Sequence, residues 1–233
     1  MLELELISII VPVYNEEATV QNVLERLMAI DLPIPREILV VNDGSTDRTR
    51  SVLDAMPAAP ETLRIVHAEV NGGKGRAIRT GFERARGTIV AIQDADLELD
   101  PAQLKDLIAP ILAGDATVVY GSRFLNGLPQ APWVTILANK ALTAATNLLY
   151  GSRITDMETC YKIMRTDVAR SLKLEANRFD IEPEITAKVL LRGITIVERA
   201  VRFEPRSRAQ GKKIGWRDGV QALQVLARHR FGR

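Results

Sequence analysis

A chain of 233 residues with 46% apolar content is long enough to bury one large core, and a net charge of +2 excludes a globally acidic or basic binding protein. One cysteine, Cys160, excludes an internal disulfide and suits a reducing compartment; with only two histidines beside it, a zinc centre is not expected. The charge is uneven, since from Arg199 onward ten Lys and Arg face only Glu204 and Asp218, a bias that fits an anionic ligand, an anionic membrane surface or nucleic acid.

In chain order, the start Met1-Leu2-Glu3-Leu4-Glu5 puts acidic residues where the basic region of a signal peptide belongs, so none is expected. Leu6 to Val13 reads as a buried strand. Glu16 to Ile30 is a helix with Val20, Val23, Leu24 and Leu27 at helical spacing. Glu37 to Val41 is a second strand, and Ser45 or Thr46 can cap a helix running to about Met56. A third strand at Arg64 to Ala68, a helix over Gly73 to Ala85, a fourth strand at Thr88 to Gln93, a helix over Pro101 to Leu112 and a fifth strand at Thr117 to Tyr120 follow. This alternation predicts an α/β fold, with a mostly parallel mixed sheet flanked by helices on both faces.

The second half is less regular. Pro132 to Tyr150 is long and apolar with one charge, Lys140. Asp156 to Arg165 reads as a turn and strand, Ile181 to Arg192 as a helix, Thr195 to Arg202 as a strand and Trp216 to about Arg228 as an amphipathic helix. No segment reaches about 18 uncharged apolar residues, so a spanning helix is not expected. With no linker or repeat, residues 1–233 read as one domain, 1–125 binding the donor and 126–233 the acceptor.

In such sheets ligands bind at the carboxyl ends of strands. Three strands end in polar turns: Tyr14-Asn15-Glu16, Asn42-Asp43-Gly44-Ser45 and Asp94-Ala95-Asp96. If the chain stays extended through the last of these, alternate side chains point the same way and both carboxylates converge. Paired carboxylates repel unless a cation lies between them, and hard oxygen ligands suit Mg2+ or Mn2+. The other reading is a strand running into the cap of the helix that Asp100-Pro101 opens.

Together these pieces resemble family 2 glycosyltransferases of the GT-A fold (Rossmann-like), and among them the dolichyl- and polyprenyl-phosphate sugar synthases. The match lies in Val11-Pro12-Val13-Tyr14-Asn15-Glu16-Glu17, Val41-Asn42-Asp43-Gly44-Ser45-Thr46-Asp47, Asn71-Gly72-Gly73-Lys74-Gly75-Arg76-Ala77, Gln93-Asp94-Ala95-Asp96-Leu97 and Gly121-Ser122-Arg123-Phe124. It continues through Asp156-Met157-Glu158-Thr159-Cys160-Tyr161-Lys162, Phe179-Asp180-Ile181-Glu182-Pro183-Glu184 and Phe203-Glu204-Pro205-Arg206-Ser207-Arg208.

The resemblance implies an inverting, metal-dependent transfer of a hexose from a nucleotide-diphosphate sugar, GDP-mannose or UDP-glucose, to polyprenyl or dolichyl phosphate. Pro12, Tyr14, Glu16 and Asp43 would line the nucleotide pocket. Lys74 and Arg76 would contact anions beside a loop whose glycines admit close approach and whose helix N-terminus favours phosphate. Asp94 and Asp96, with Glu98 where relatives often carry Gln, would hold Mg2+ or Mn2+. Arg123, Arg206 and Arg208 would clamp the donor diphosphate and the acceptor phosphate, since arginine forks match phosphate geometry. Lys212 and Lys213 are either phosphate contacts or a solvated loop.

Glu182 and Glu184 open a helix around Pro183, where acidic residues need no function; the resemblance implies that Glu182 contacts the acceptor. Relatives acting on hydroxyls use a carboxylate there as general base, whereas a phosphate monoester, with a second pKa near roughly 6, needs cations more. Trp216, Val220, Leu223, Ala227 and Phe231 share one helical face with arginines nearby, which suits a lipid interface or packing on the sheet. Cys160 and Met157 read as core. A cytoplasmic protein with peripheral contact to the inner membrane face follows. The rivals are the same chemistry on a soluble acceptor, a nucleotidyltransferase, whose Gly-rich loop should follow the first strand, and a non-catalytic sugar-nucleotide-binding module. No reading helix supports nucleic-acid binding.

Overall fold

The computed structural model describes residues 5–57, 59, 61–205 and 216–232. The first half alternates as its apolar runs require: β1 (Ile7–Val13), α1 (Val20–Ala29), β2 (Arg36–Asn42), α2 (Thr49–Asp54), β3 (Leu63–His67), α3 (Lys74–Arg84) and β4 (Ile89–Ile92). Residues 101–103 form one 3-10 turn that leads into α4 (Leu104–Leu112), followed by β5 (Val118–Ser122). Then come α5 (Trp133–Tyr150), β6 (Lys162–Arg165), α6 (Thr166–Ser171), α7 (Ile181–Leu191), β7 (Ile196–Ala200) and α8 (Trp216–Phe231).

Seven strands form one sheet in the order β3-β2-β1-β4-β6-β5-β7. β3, β2, β1 and β4 run parallel, β6 is antiparallel to both β4 and β5, and β7 is parallel to β5. A mixed sheet with a parallel majority is the expected one. Val20, Val23, Leu24 and Leu27 are fully buried on α1, so the spacing read from the sequence is the face that packs. β1 and β4 are apolar without alternation because helices cover both faces of the sheet. One large core runs through β1, β4, β5 and β6; a second, smaller one joins α5, α7 and α8 through Leu142, Met157, Ala187, Ala222 and Leu226.

Local chemistry shifts several boundaries. α2 starts later than expected because Asp47, not Ser45 or Thr46, accepts from the Thr49 N–H at 2.9 Å. α6 was not expected at all. β4 ends at Ile92, so Asp94 and Asp96 lie in a turn rather than on extended chain, and Leu97 takes φ 61° to reverse it. α8 packs through Ala222 and Leu226, which leaves Val220, Leu223 and Phe231 exposed. Among the described residues, no helix is long and apolar enough to cross a membrane.

Candidate active site

Parallel pairing of β2, β1 and β4 brings their carboxyl ends to one edge of the sheet. The first two turns there are tied to each other. Asn15, at φ 54°, donates its N–H to Ser45 Oγ and accepts from Thr46 N through Oδ1 at 2.8 Å. Glu16 donates its N–H to Thr49 Oγ1, and its carboxylate accepts from the Thr19 hydroxyl. Glu17 N–H reaches Asp47, and the Glu17 carboxylate accepts from Arg48 N–H. Tyr14 is half-buried within this cradle, and Pro12 sits on β1 opposite Val41 of β2.

Asp43 is buried at the end of β2, and its carboxylate is fully engaged. It accepts from Gly72 N–H at 3.0 Å, Gly73 N–H at 2.6 Å and the Arg76 guanidinium at 2.8 Å. The amino end of α3 is thus filled by an internal carboxylate, with Asn177 O on the Arg76 N–H at 3.2 Å. The glycines serve that packing. Gly73 holds φ 95°, and a Cβ there would lie 2.3 Å from Asn177 O; one on Gly75 would lie 2.4 Å from Ala176 O. The expected close approach is made by the 176–177 backbone. Arg79, the remaining cation of this stretch, bonds Glu175 O and Asn177 Oδ1.

Lys74 reaches in the other direction. Its Nζ lies 2.9 Å from the Asp94 carboxylate and 3.1 Å from Glu182 Oε1. Burial opposes its charge, but Asp94 and Glu182 outweigh burial and hold Lys74 protonated. Lys162, fully buried, contacts Glu182 Oε2 at 2.5 Å, Met157 O at 3.0 Å and Thr159 O. Glu182 therefore bridges two lysines. Glu184 is also internal: it accepts from Glu175 N, Ala176 N and Lys188, which outweigh burial and keep its carboxyl below the ordinary value.

Arg123, at the end of β5, forks onto Asp156 at 2.7 and 2.8 Å and lies 5.2 Å from the Phe203 ring centre. Burial disfavours this guanidinium and Asp156 more than restores its charge. Asp96 Oδ1 accepts from Glu98 N–H at 3.1 Å, closing the turn on itself. Among the described residues no three His, Cys, Asp or Glu side chains gather as a metal-ligand group. The two aspartates still fit a hard divalent ion, because Mg2+ is commonly held by one or two carboxylates plus substrate phosphates and water. Met157 and Cys160 are core, as expected. Arg206, Arg208, Lys212 and Lys213 lie outside the described residues.

The sequence reading missed Lys162 and the Asp156 partner of Arg123. Both stand in the Asp156–Lys162 stretch that carries the resemblance, and a buried Lys or Asp inside an apolar strand context is a signal for an internal ion pair.

Comparison with known proteins bears on the family and the fold. The chain is 28% identical over 216 residues to polyprenol monophosphomannose synthase of Mycolicibacterium smegmatis, covering 89% of this chain and 80% of that protein. It is 29% identical over 227 residues to undecaprenyl-phosphate mannosyltransferase of Micrococcus luteus, covering 93% and 90%. Of other curated relatives it spans only 33% to 51% of the length. Its fold matches crystalline glucosyl-3-phosphoglycerate synthase of Mycobacterium tuberculosis, which was bound to Mn2+ and UDP, with TM-score 0.74 over 97% of this chain and 80% of that one at 22% identity. The model of glycosyl transferase family 2 matches residues 8–173, and the chain belongs to that family.

Proposed function

We propose that this chain is an inverting hexosyltransferase that moves a sugar from a nucleotide diphosphate donor to polyprenyl phosphate at a membrane face. The observation that carries the reading is the Asp94-Ala95-Asp96 turn at the carboxyl edge of the sheet, with Lys74 on Asp94 and the stitched β1 and β2 turns beside it. The nucleotide would rest against Pro12, Tyr14 and Glu16. A Mg2+ or Mn2+ ion held by Asp94 and Asp96 would neutralise charge on the departing diphosphate. Lys74, charged and poised between Asp94 and Glu182, supplies a second positive centre for that charge. Arg123, Arg206 and Arg208 are the proposed phosphate clamps. Arg123 reaches one only by sharing or leaving Asp156.

Two exposed surfaces support membrane contact. The open side of α5 presents Trp133, Val134, Leu137, Ala141, Ala144 and Leu148 with Lys140 as its one charge and no acidic residue. α8 leaves Val220, Leu223 and Phe231 uncovered beside Arg228 and Arg230. A basic apolar face of this kind suits an anionic lipid interface. The test is a panel of nucleotide sugars with Mn2+ and a short polyprenyl phosphate, scored for glycolipid. Product from one donor, abolished by EDTA, is the expected result. Product only with a soluble phosphorylated acceptor would move the acceptor class, and no product with any donor would sink the reading.

A further inference from the structure

The buried oxygens Glu158 Oε1 and Glu182 Oε1 accept no hydrogen bond among the described residues. Glu182 Oε1 nevertheless lies 3.1 Å from Lys74 Nζ, an ion-pair distance at an angle that makes no hydrogen bond. That ammonium bonds Asp94 instead, with both carboxylate oxygens at 2.9 Å. Glu182 Oε2 is held from the other side by Lys162 at 2.5 Å. Lys162 is itself fixed: it is fully buried, donates to the Met157 and Thr159 carbonyls and lies 4.9 Å from the Tyr120 ring centre. Four charges of alternating sign therefore run from the core to the edge: Lys162, Glu182, Lys74 and Asp94. A buried carboxylate oxygen without a hydrogen bond costs stability. This one stands within reach of a cation that is bonded to a different carboxylate.

That different carboxylate is one of the two proposed to hold Mg2+ or Mn2+. An ammonium that straddles both Asp94 oxygens and a divalent ion compete for the same lone pairs, and the two cations repel each other at such a range. Lys74 needs little movement to change partner, because its Nζ is already at ion-pair distance from Glu182 Oε1 and a lysine ammonium is a compact charge with three rotatable donors. Glu182 stays in place during such an exchange, since Lys162 anchors its other oxygen.

We propose that Lys74 is a built-in competitor of the metal ion for Asp94, and that Glu182, anchored by Lys162, is the carboxylate to which Lys74 passes when the ion binds. This rests on the transferase reading, which puts the ion on Asp94, and deepens it by naming the groups that set metal affinity. Glu182 then acts on the metal site through Lys74, as a positioning residue. In either arrangement Asp94 faces a positive partner and the Lys74 charge stays balanced by a carboxylate.

The test is titration of the full chain with Mn2+ alone, followed by electron paramagnetic resonance, which needs no nucleotide and no turnover. K74M should bind Mn2+ about 10-fold tighter or more, the gain expected when a competing charged hydrogen bond is removed. E182Q leaves Lys74 to Asp94 and should bind about 3-fold more weakly or worse, an effect smaller than one charged hydrogen bond. A merely structural role would not move the two variants in opposite directions. R79M removes a cation of the same helix that bonds Glu175 O and Asn177 Oδ1 instead of Asp94, and should stay within about 2-fold because salt screens the longer range. K74M binding no tighter than wild type, E182Q binding as tightly as wild type or more so, or R79M matching K74M would each overturn the proposal. If E182Q does not fold because Lys162 has lost its counter-ion, K74M against R79M decides alone. D94N retaining full Mn2+ binding would overturn the metal assignment and this proposal together. Tighter binding by K74M in a chain whose wild type transfers no sugar would refute the transferase reading and leave the competition standing.

Discussion

Two regions of the molecule are finished to different degrees. Around β1, β2 and the start of α3, the turns satisfy one another: Asn15 with Ser45 and Thr46, Asp43 with Gly72, Gly73 and Arg76, Lys74 with Asp94 and Glu182. Around α5 and α8, apolar side chains as large as Trp133, Leu148 and Phe231 are 67%, 86% and 72% exposed. The β1, β2 and α3 turns are held in shape by their own hydrogen bonds, and α5 and α8 leave large apolar side chains open. On the transferase reading proposed above, preorganisation falls where charge would develop and the open apolar faces where a lipid would be met.

The comparison breaks most sharply at Arg123. R123A leaves Asp156 buried with its main cation gone and should cost about 3–5 kcal/mol in urea unfolding. A cost under about 1 kcal/mol, the range of surface pairs, would show the pair to be decoration. Replacing Asp94 and Asp96 together with Asn should lower glycolipid formation by about 10²–10³-fold, as loss of an electrostatic stabiliser does. Near-wild-type turnover would remove the donor side from the chemistry altogether.

Glu158 offers a stability test with a defined sign. Its folded pKa of about 7 lies above the ordinary carboxyl value of 4.5, so its contribution is intact below about pH 4.5 and is lost as pH rises toward 7. E158Q removes that loss and should be more stable than wild type at pH 8 by up to about 3 kcal/mol, at 1.36 kcal/mol per pKa unit. The gap should close on acidification below about pH 4.5, and equal stability at pH 8 would mean the carboxylate finds a partner in solution. G73A should cost about 1–3 kcal/mol, because an L side chain at φ 95° is strained and its Cβ meets Asn177 O. The smallest effect on stability, within about ±0.5 kcal/mol, should come from serine at Trp133, Leu137 and Leu148 together. That variant should lose sedimentation with anionic vesicles and still glycosylate a short, dispersed acceptor; unchanged vesicle binding would remove α5 from the membrane.

Much of the frame was legible because β1, β2 and β4 are buried on both faces and written mostly in apolar residues, and because α1 repeats its apolar residues at 3.6. The parts that escaped depend on distant partners. Thr166–Ser171 is too short for a period to show. The Asp94–Asp96 turn looked extended because nothing local announces the reversal at Leu97, a residue with no preference for positive φ. The loop Asn71–Gly75 has the composition of a phosphate cradle, and only the fold brings Asp43 and the 176–177 backbone to fill it. Arg123 was picked for its guanidinium, but Asp156 stands 33 positions away and no spacing rule links them. For α8 the sequence left a lipid-facing and a packed apolar face open, and only the fold shows Ala222 and Leu226 anchoring the helix while Val220, Leu223 and Phe231 stay exposed.

β6 sits between β4 and β5, reversed against both, although it follows β5 by about forty positions in the chain. A nascent polypeptide that has released β5 holds a strand with nowhere to dock, because its hydrogen-bonded neighbours among the described residues, β6 and β7, are still unsynthesised. Until the ribosome passes Arg165, the β4 border is a naked hydrogen-bonding rim, open to pairing with the wrong chain. Closure of that seam is a late, long-range event, and it is also what carries Asp156 to Arg123.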